Sequence, residues 1–204
     1  MSAAEFLPPQ ANLAQMAEAA ATCRGCELWE PATQTVFGRG PADARMMLVG
    51  EQPGDVEDRK GAPFVGPAGR LLVRALEEAG IDKTSVYVTN AVKHFRFSTA
   101  PNGRRIHQTP DLSHLVACQP WLRAELSAIR PERVVLLGAT AAKSLLGPDF
   151  RVTRQRGQWL DGPPGSGARL LATLHPSAVL RTDAERRQEV YAGFVTDLRT
   201  AAAD

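Results

Sequence analysis

The residues best suited to chemistry are few and scattered along the chain. Cys23 and Cys26 form a Cys-x-x-Cys pair, His94 follows an apolar run, and Cys118 lies in a long helical stretch. Three thiolates and one imidazole make a complete four-ligand set. That set fits zinc, and it fits an iron–sulfur cluster with one ligand that is not cysteine; spacing does not separate the two. Without a metal, Cys118 reads as an ordinary core thiol. Gly50-Glu-Gln-Pro-Gly-Asp55 is a turn whose glycines let backbone N–H groups approach a ligand. Glu51 in that turn is a candidate general base or stabiliser of a cation, or else a loop carboxylate. Phe64, in the glycine- and proline-rich loop from Gly61 to Gly69, could stack on a base or sit under its own loop. Asn90 offers an amide that suits a pyrimidine edge. His175, heading His175-Pro-Ser177, could donate to an anion forming on a leaving group. Gly103-Arg-Arg-Ile-His107 supplies Arg104 and Arg105 for phosphates and His107 as a nucleophile or acid–base group; taken alone, His107 reads as an exposed loop histidine.

These groups need a frame. Short apolar runs at 45–50, 85–90, 133–138 and 169–174 predict four strands, and the spacing of apolar residues predicts helices at 12–22, 67–79, 111–129, 139–146 and 183–202. Asp183 is positioned to cap the last helix. Pro163 to Gly167 reads as a hairpin tip or surface loop. The alternation predicts an α/β fold: one three-layer α/β/α domain over residues 1–204, with a central, mainly parallel four-stranded sheet. Such sheets gather their sites at the carboxyl ends of the strands. Here those ends carry the Glu51 turn, Asn90 and His175.

The bulk numbers exclude more than they assign. Apolar residues are 44% and charged residues 23% of 204, as in ordinary globular proteins. A net charge of +2 does not announce nucleic acid. Three cysteines are too few for a disulfide framework. No stretch approaches the ~20 apolar residues of a membrane span, and the first residues do not read as a secretory signal. The expectation is a cytoplasmic, nucleoid-associated monomer. Basic residues do cluster locally: Lys83, Lys93, Arg96, Arg104 and Arg105 in one acid-free interval, Arg151, Arg154 and Arg156 in a second, Arg169 and Arg181 in a third. If these intervals share one edge, they form a basic rim for phosphates.

Taken in order, the motifs resemble the family 4 uracil-DNA glycosylases over most of the chain. The shared pattern is Cys23-x-x-Cys26, Gly50-Glu-x-Pro-Gly54, Pro63-Phe-Val-Gly-x-x-Gly69, Thr89-Asn-x-Val-Lys93, Ala117-Cys-x-Pro-Trp-Leu122 and His175-Pro-Ser177. His94 stands where that family has cysteine, and a basic loop follows it. Both departures resemble the UdgX type, whose loop reads Lys-Arg-Arg-Ile-His; here Gly103 replaces the lysine.

The resemblance implies a 4Fe-4S cluster held by Cys23, Cys26, His94 and Cys118, acting as a scaffold with no redox step. It implies uracil-containing DNA as substrate, single strands preferred, with uracil as the released base. Phe64 would stack the uracil, Asn90 would read its edge, and Gln52 and Asp55 would complete the uracil pocket. His175 would support the leaving base, and Glu51 the cation or the attacking group. Arg104, Arg105, Ser177 and Arg181 would meet the DNA. His107 would attack C1′ and stay bonded, limiting each molecule to one turnover. Two other readings stand beside this one: a conventional turnover glycosylase, and a zinc-bound DNA-binding protein without catalysis.

Overall fold

The computed structural model describes residues 1–162 and 167–203. Most of the surface-loop segment at 163–167 therefore lies outside the described residues. The strands are β1 (Met46–Gly50), β2 (Val86–Asn90), β3 (Phe97–Thr99), β4 (Arg105–His107), β5 (Arg133–Leu137), β6 (Trp159–Asp161) and β7 (Arg169–Thr173). The helices are α1 (Leu13–Ala20), α2 (Asp55–Lys60), α3 (Pro67–Glu78), α4 (Leu112–Ile129), α5 (Ala139–Leu146), α6 (Val152–Gln155), α7 (Pro176–Arg181) and α8 (Ala184–Ala202).

The central sheet runs β2-β1-β5-β7-β6. Its first four strands are parallel and are the four expected from the sequence. The fifth, β6, adds an antiparallel edge by pairing Trp159 with Leu171. Burial on both faces explains the unbroken apolar runs. Met47 and Val49 pack on one face with Trp121 and Leu122 of α4 and Ala141 of α5. Met46 and Leu48 pack on the other with Leu72 and Leu76 of α3 and Phe194 and Leu198 of α8. The period-two alternation of a strand thus divides one run between two cores.

The helices begin and end where their local chemistry dictates. Asn12 Oδ1 accepts from Gln15 N–H and Gln15 Oε1 accepts from Asn12 N–H, both at 3.0 Å, closing a capping box on α1. Arg130 adopts a left-handed φ of 51° to end α4 before Pro131. Asp183 takes the N-cap position of α8 without a side-chain cap bond; only its carbonyl serves the first turn.

One segment read as loop is ordered. β3 and β4 form an antiparallel hairpin pairing Phe97 with His107 and Thr99 with Arg105. Phe95 stacks on Phe97 with centroids 5.1 Å apart, and the Arg105 guanidinium lies over both rings. The rings and the cation give this short, polar hairpin the core it otherwise lacks.

Candidate active site

The parallel register sets Gly50 beside Asn90, so β1 and β2 end level. Glu51 leaves β1 at that edge. A side chain at position 50 would put its Cβ 2.4 Å from Asn90 Oδ1 and 2.6 Å from Phe64 Cζ. Glycine there allows the Asn90 amide and the Phe64 ring to close on the same place. Phe64 has a left-handed φ of 54°, which is uncommon outside glycine. Its loop is held from behind, because Glu57 Oε1 accepts from Gly66 N–H at 2.7 Å. The ring lies 6.3 Å, centroid to centroid, from the imidazole of His175, which follows β7.

The Glu51 carboxylate is bracketed. Thr140, at the start of α5, donates its hydroxyl to Oε2. Oε1 lies 3.2 Å from His107 Nε2, at the end of β4. Burial pushes the Glu51 carboxyl up, but the hydrogen bonds from His107 and Thr140 and the charges of His107 and His175 more than offset it. The net effect is a pKa below the usual carboxylate range. Glu51 is therefore ionised at neutral pH.

His175 is its electrostatic complement. Burial brings its pKa down to about 4, so the ring is neutral at pH 7. Nδ1 accepts from Ser177 N–H at 3.2 Å, which leaves the ring proton on Nε2. Nε2 is sealed from solvent with no hydrogen-bond partner among the described residues. A buried N–H donor without an acceptor costs free energy unless a ligand supplies one.

The Gln52 side chain is engaged with the hairpin. Its Oε1 accepts from Arg96 N–H at 2.8 Å, and its Nε2 donates to Gln108 O at 2.9 Å, so it holds both feet of the hairpin. The same Nε2 lies 2.9 Å from His107 Nε2. Asp55 and Arg105 also sit apart from their expected places. Arg105, looked for at DNA phosphates, has a side chain only 12% exposed and pairs with Asp55 and with Asp58 at 2.7 Å. Against the upward push of burial, the Arg105 and Arg59 guanidinium groups hold Asp55 below the usual range. Arg104 remains exposed. Arg181 is exposed and donates to Ser177 Oγ at 3.0 Å.

The basic rim is thinner than the sequence suggests. Lys93 is buried against Glu125, Arg156 pairs with Asp197, and Arg96 pairs with Asp111. Lys83 precedes β2 and Arg169 opens β7, so both lie at the opposite edge of the sheet. Positive charge in a sequence does not reveal which charges are already neutralised within the fold.

The three cysteines lie near one another around Cys118 of α4, with Lys93, the residue before His94, against Cys118. Burial raises the Cys118 thiol to about 12, and Cys118 lies near enough to feel the charges of Cys26 and Cys23. Lys93 N–H, next to His94, donates to Cys118 Sγ at 3.3 Å, and Trp121 Nε1–H donates to Cys23 Sγ at 3.4 Å. The Lys93 N–H partly opposes the burial that raises Cys118. His94 is kept neutral, its pKa brought down to about 4 by burial. The donor chemistry therefore fits a thiolate-bound cluster. Among the described residues, no group of three or more His, Cys, Asp or Glu is arranged to hold a metal ion.

Three residues in this machinery were not singled out from the sequence: Thr140, Asp58 and Glu57. Thr140 had a signal, since Gly138-Ala-Thr140 follows an apolar strand and opens a helix, as the other site segments do. Asp58 and Glu57 had none, being acids on an exposed-looking helix.

A parallel sheet that gathers an ionised carboxylate, a neutral imidazole donor, an amide and an aromatic ring at its carboxyl edge is built to act on a small planar ligand. Residues 37–199 match the uracil DNA glycosylase superfamily, and the chain belongs to that family. It is 39% identical over 160 residues to a type-4 uracil-DNA glycosylase of Thermotoga maritima, covering 78% of each chain. It is 35% identical over 180 residues to a type-4 uracil-DNA glycosylase of Pyrobaculum aerophilum, covering 86% of this chain and 88% of that one. A type-5 uracil-DNA glycosylase of the same organism is 31% identical over 198 residues, covering 89% and 81%. The crystal structure of wild-type Pedobacter heparinus SMUG2 shares the fold, with a TM-score of 0.55 over 76% of this chain and 74% of that one at 16% identity. No helix among the described residues is long and apolar enough to cross a membrane.

Proposed function

We propose that this protein excises uracil from DNA, single strands preferred, and then remains bonded to C1′ of the abasic sugar through His107. The observation that carries the reading is His107 Nε2 at 3.2 Å from Glu51 Oε1, where a hydrolase would place its attacking water.

The deoxyuridine is extruded into the site at a cost of about a few kcal/mol, least from a single strand. Phe64 stacks the base and the Asn90 amide reads its polar edge. The bond from C1′ to the base breaks with its electron pair leaving on uracil. The Nε2–H of His175 gains its missing acceptor as negative charge collects on the uracil oxygen. A neutral imidazole serves here, because it donates without first surrendering a proton. The sugar becomes a cation, which the Glu51 carboxylate faces.

His107 then supplies the new bond. Its Nε2 has two neighbours of opposite character: Glu51 can only accept, and the Gln52 amide nitrogen can only donate. With its proton on Nε2, the ring donates to Glu51; with the proton on Nδ1, the bare Nε2 accepts from Gln52. The site thus accommodates either tautomer of the neutral ring, and the form with its hydrogen on Nε2 faces the carboxylate that can take it. The Nε2 proton passes to Glu51, and the electron pair it leaves on Nε2 forms the bond to C1′, so the ring ends neutral with Nδ1 bare. Arg105, locked to Asp55 and Asp58, keeps the hairpin and its histidine in place, while Arg104 and Arg181 remain for phosphates.

Cys23, Cys26, His94 and Cys118 would hold a 4Fe-4S cluster that supplies a rigid anchor and no redox step.

The test is a denaturing gel of protein mixed with uracil-containing single-stranded DNA. Wild type gives a denaturation-resistant band, and His107→Ala loses it while releasing uracil. Multiple turnovers without a band would establish a conventional glycosylase. A band persisting in His107→Ala would refute the assignment of the nucleophile.

A further inference from the structure

Thr35 lies in none of the sequence motifs, yet it makes two hydrogen bonds beside the ligand set. Its Oγ1 is 2.8 Å from Ala20 O and 2.8 Å from His94 Nε2. A hydroxyl has one proton to give. A carbonyl cannot donate, so the Oγ1 proton must go to Ala20 O. Oγ1 then meets His94 as an acceptor, and His94 Nε2 must carry the hydrogen. In a neutral imidazole the other nitrogen is then bare.

The Ala20 carbonyl makes the constraint firmer. It also accepts from Cys23 N–H at 3.0 Å, so both its lone pairs are used. One backbone oxygen therefore fixes the turn bearing Cys23 and, through Thr35, the ring of His94. The next residue adds a clamp: Val36 N–H donates to Lys93 O at 2.8 Å, pinning the chain around Thr35 to the residue before His94.

We infer that Thr35 is a positioning residue that fixes the tautomer of His94, so that His94 meets the cluster through Nδ1 and not Nε2. The inference rests on the cluster reading given above. A metal-bound histidine is commonly held in this way by a partner on its other nitrogen, and loss of such a partner weakens binding about 10- to 100-fold.

The holoprotein allows a direct test. Histidine labelled with ¹⁵N at Nδ1 alone, or at Nε2 alone, is incorporated and the cluster is reduced. Pulsed EPR should show the strong, directly bonded coupling from the Nδ1 label and only a weak remote one from Nε2. Strong coupling from Nε2 would overturn the inference while leaving the cluster reading intact. A colourless, iron-free wild type would overturn the cluster reading and this inference with it. Two variants give a second measurement. Thr35→Val keeps the shape and removes the hydroxyl; it should lose its cluster to a chelator about 10- to 100-fold faster than wild type. Thr35→Ser restores the acceptor and should return the rate towards wild type. Equal rates in wild type and Thr35→Val would count against Thr35.

Discussion

Lys93→Met should destabilise the protein severely, and the structure says by how much. The Lys93 side chain is 1% exposed and that of Glu125 is 0% exposed, with Nζ and Oε2 at 2.6 Å. The ammonium's three protons are all placed: on Glu125 Oε2, on Thr89 Oγ1 at 2.6 Å and on Asn90 O at 2.8 Å. Glu125 also accepts from the hydroxyls of Tyr87 and Thr89. Methionine fills the volume but leaves a carboxylate in the core with two hydroxyl donors and no counter-charge. Breaking a buried pair from one side costs about 3–5 kcal/mol. For a chain of this size, at ~2–4 °C per kcal/mol, Tm should fall by about 6–20 °C. Adding Glu125→Gln removes the orphaned charge and keeps an oxygen for both hydroxyls, so the double variant should recover most of the loss. Thermal and denaturant unfolding, followed by circular dichroism, measure the Tm and the free-energy change of both variants. The reasoning fails if Lys93→Met unfolds at the wild-type midpoint, or if the double variant is no better than the single one. Because Lys93 also bonds the Asn90 carbonyl, uracil excision by the folded single variant should drop as well.

Three further outcomes follow from the site. Gly50→Ala drives a methyl into Asn90 and Phe64, and displacement of either by about 1 Å should slow single-turnover uracil release on the order of 100-fold; an unchanged rate would mean these two groups do not form the uracil site. In single-turnover uracil release by the wild type, activity should hold as pH falls through 6.5, because His175 takes up its proton only at about 4 and the Glu51 carboxyl, with its His107 and Thr140 partners in place, sits below its usual range. Falling pH converts both groups to their inactive forms only beyond that point, so a midpoint near 6.5 would contradict the neutral-donor role. Thr140→Val removes a hydrogen bond that lowers the Glu51 pKa, so the acid limb of the same profile should move to higher pH; no movement would place Thr140 outside the mechanism.

What the sequence disclosed depended on whether a signal was local. β1, β2, β5 and β7 were legible because strands buried on both faces must be apolar throughout, and each ends where a polar turn begins. β6 was not: Trp159, Leu160 and Asp161 are too short a run to show a period. The hairpin was hidden for another reason. Ser98, Thr99, Arg104 and Arg105 are polar, and what orders them is the stack of Phe95 and Phe97 under Arg105, a contact between residues about ten apart. The site residues on strand ends were legible as chemistry in the right places. The roles of Arg105 and Gln52 were not, since a guanidinium in a basic loop gives no hint of two carboxylates on a helix fifty residues earlier. Thr35 gave no signal, because its importance lies in one proton shared with a histidine 59 positions away.

The placement of His107 bears on why an imidazole, and not water, would attack. Both oxygens of Glu51 already have protein partners, Thr140 on one and His107 on the other. Each oxygen can accept once more, but the ring of His107 stands on the side where Oε1 would otherwise hold a water, which is the arrangement the proposed attack needs. The ring is also pre-positioned from the same short segment that supplies the carboxylate. Gln52, next to Glu51, binds the main chain on both sides of the hairpin, and Asp55 and Asp58 anchor Arg105 two residues before His107. Base and nucleophile are thus referenced to one turn, so little orientational freedom remains to be lost when the sugar cation forms. That is the condition under which an intramolecular group outcompetes even concentrated water, with effective molarities of about 10⁵–10⁸ M for well-oriented pairs. Gly103, at the hairpin tip with φ 78°, makes the turn, and the hairpin is anchored by the residues behind it.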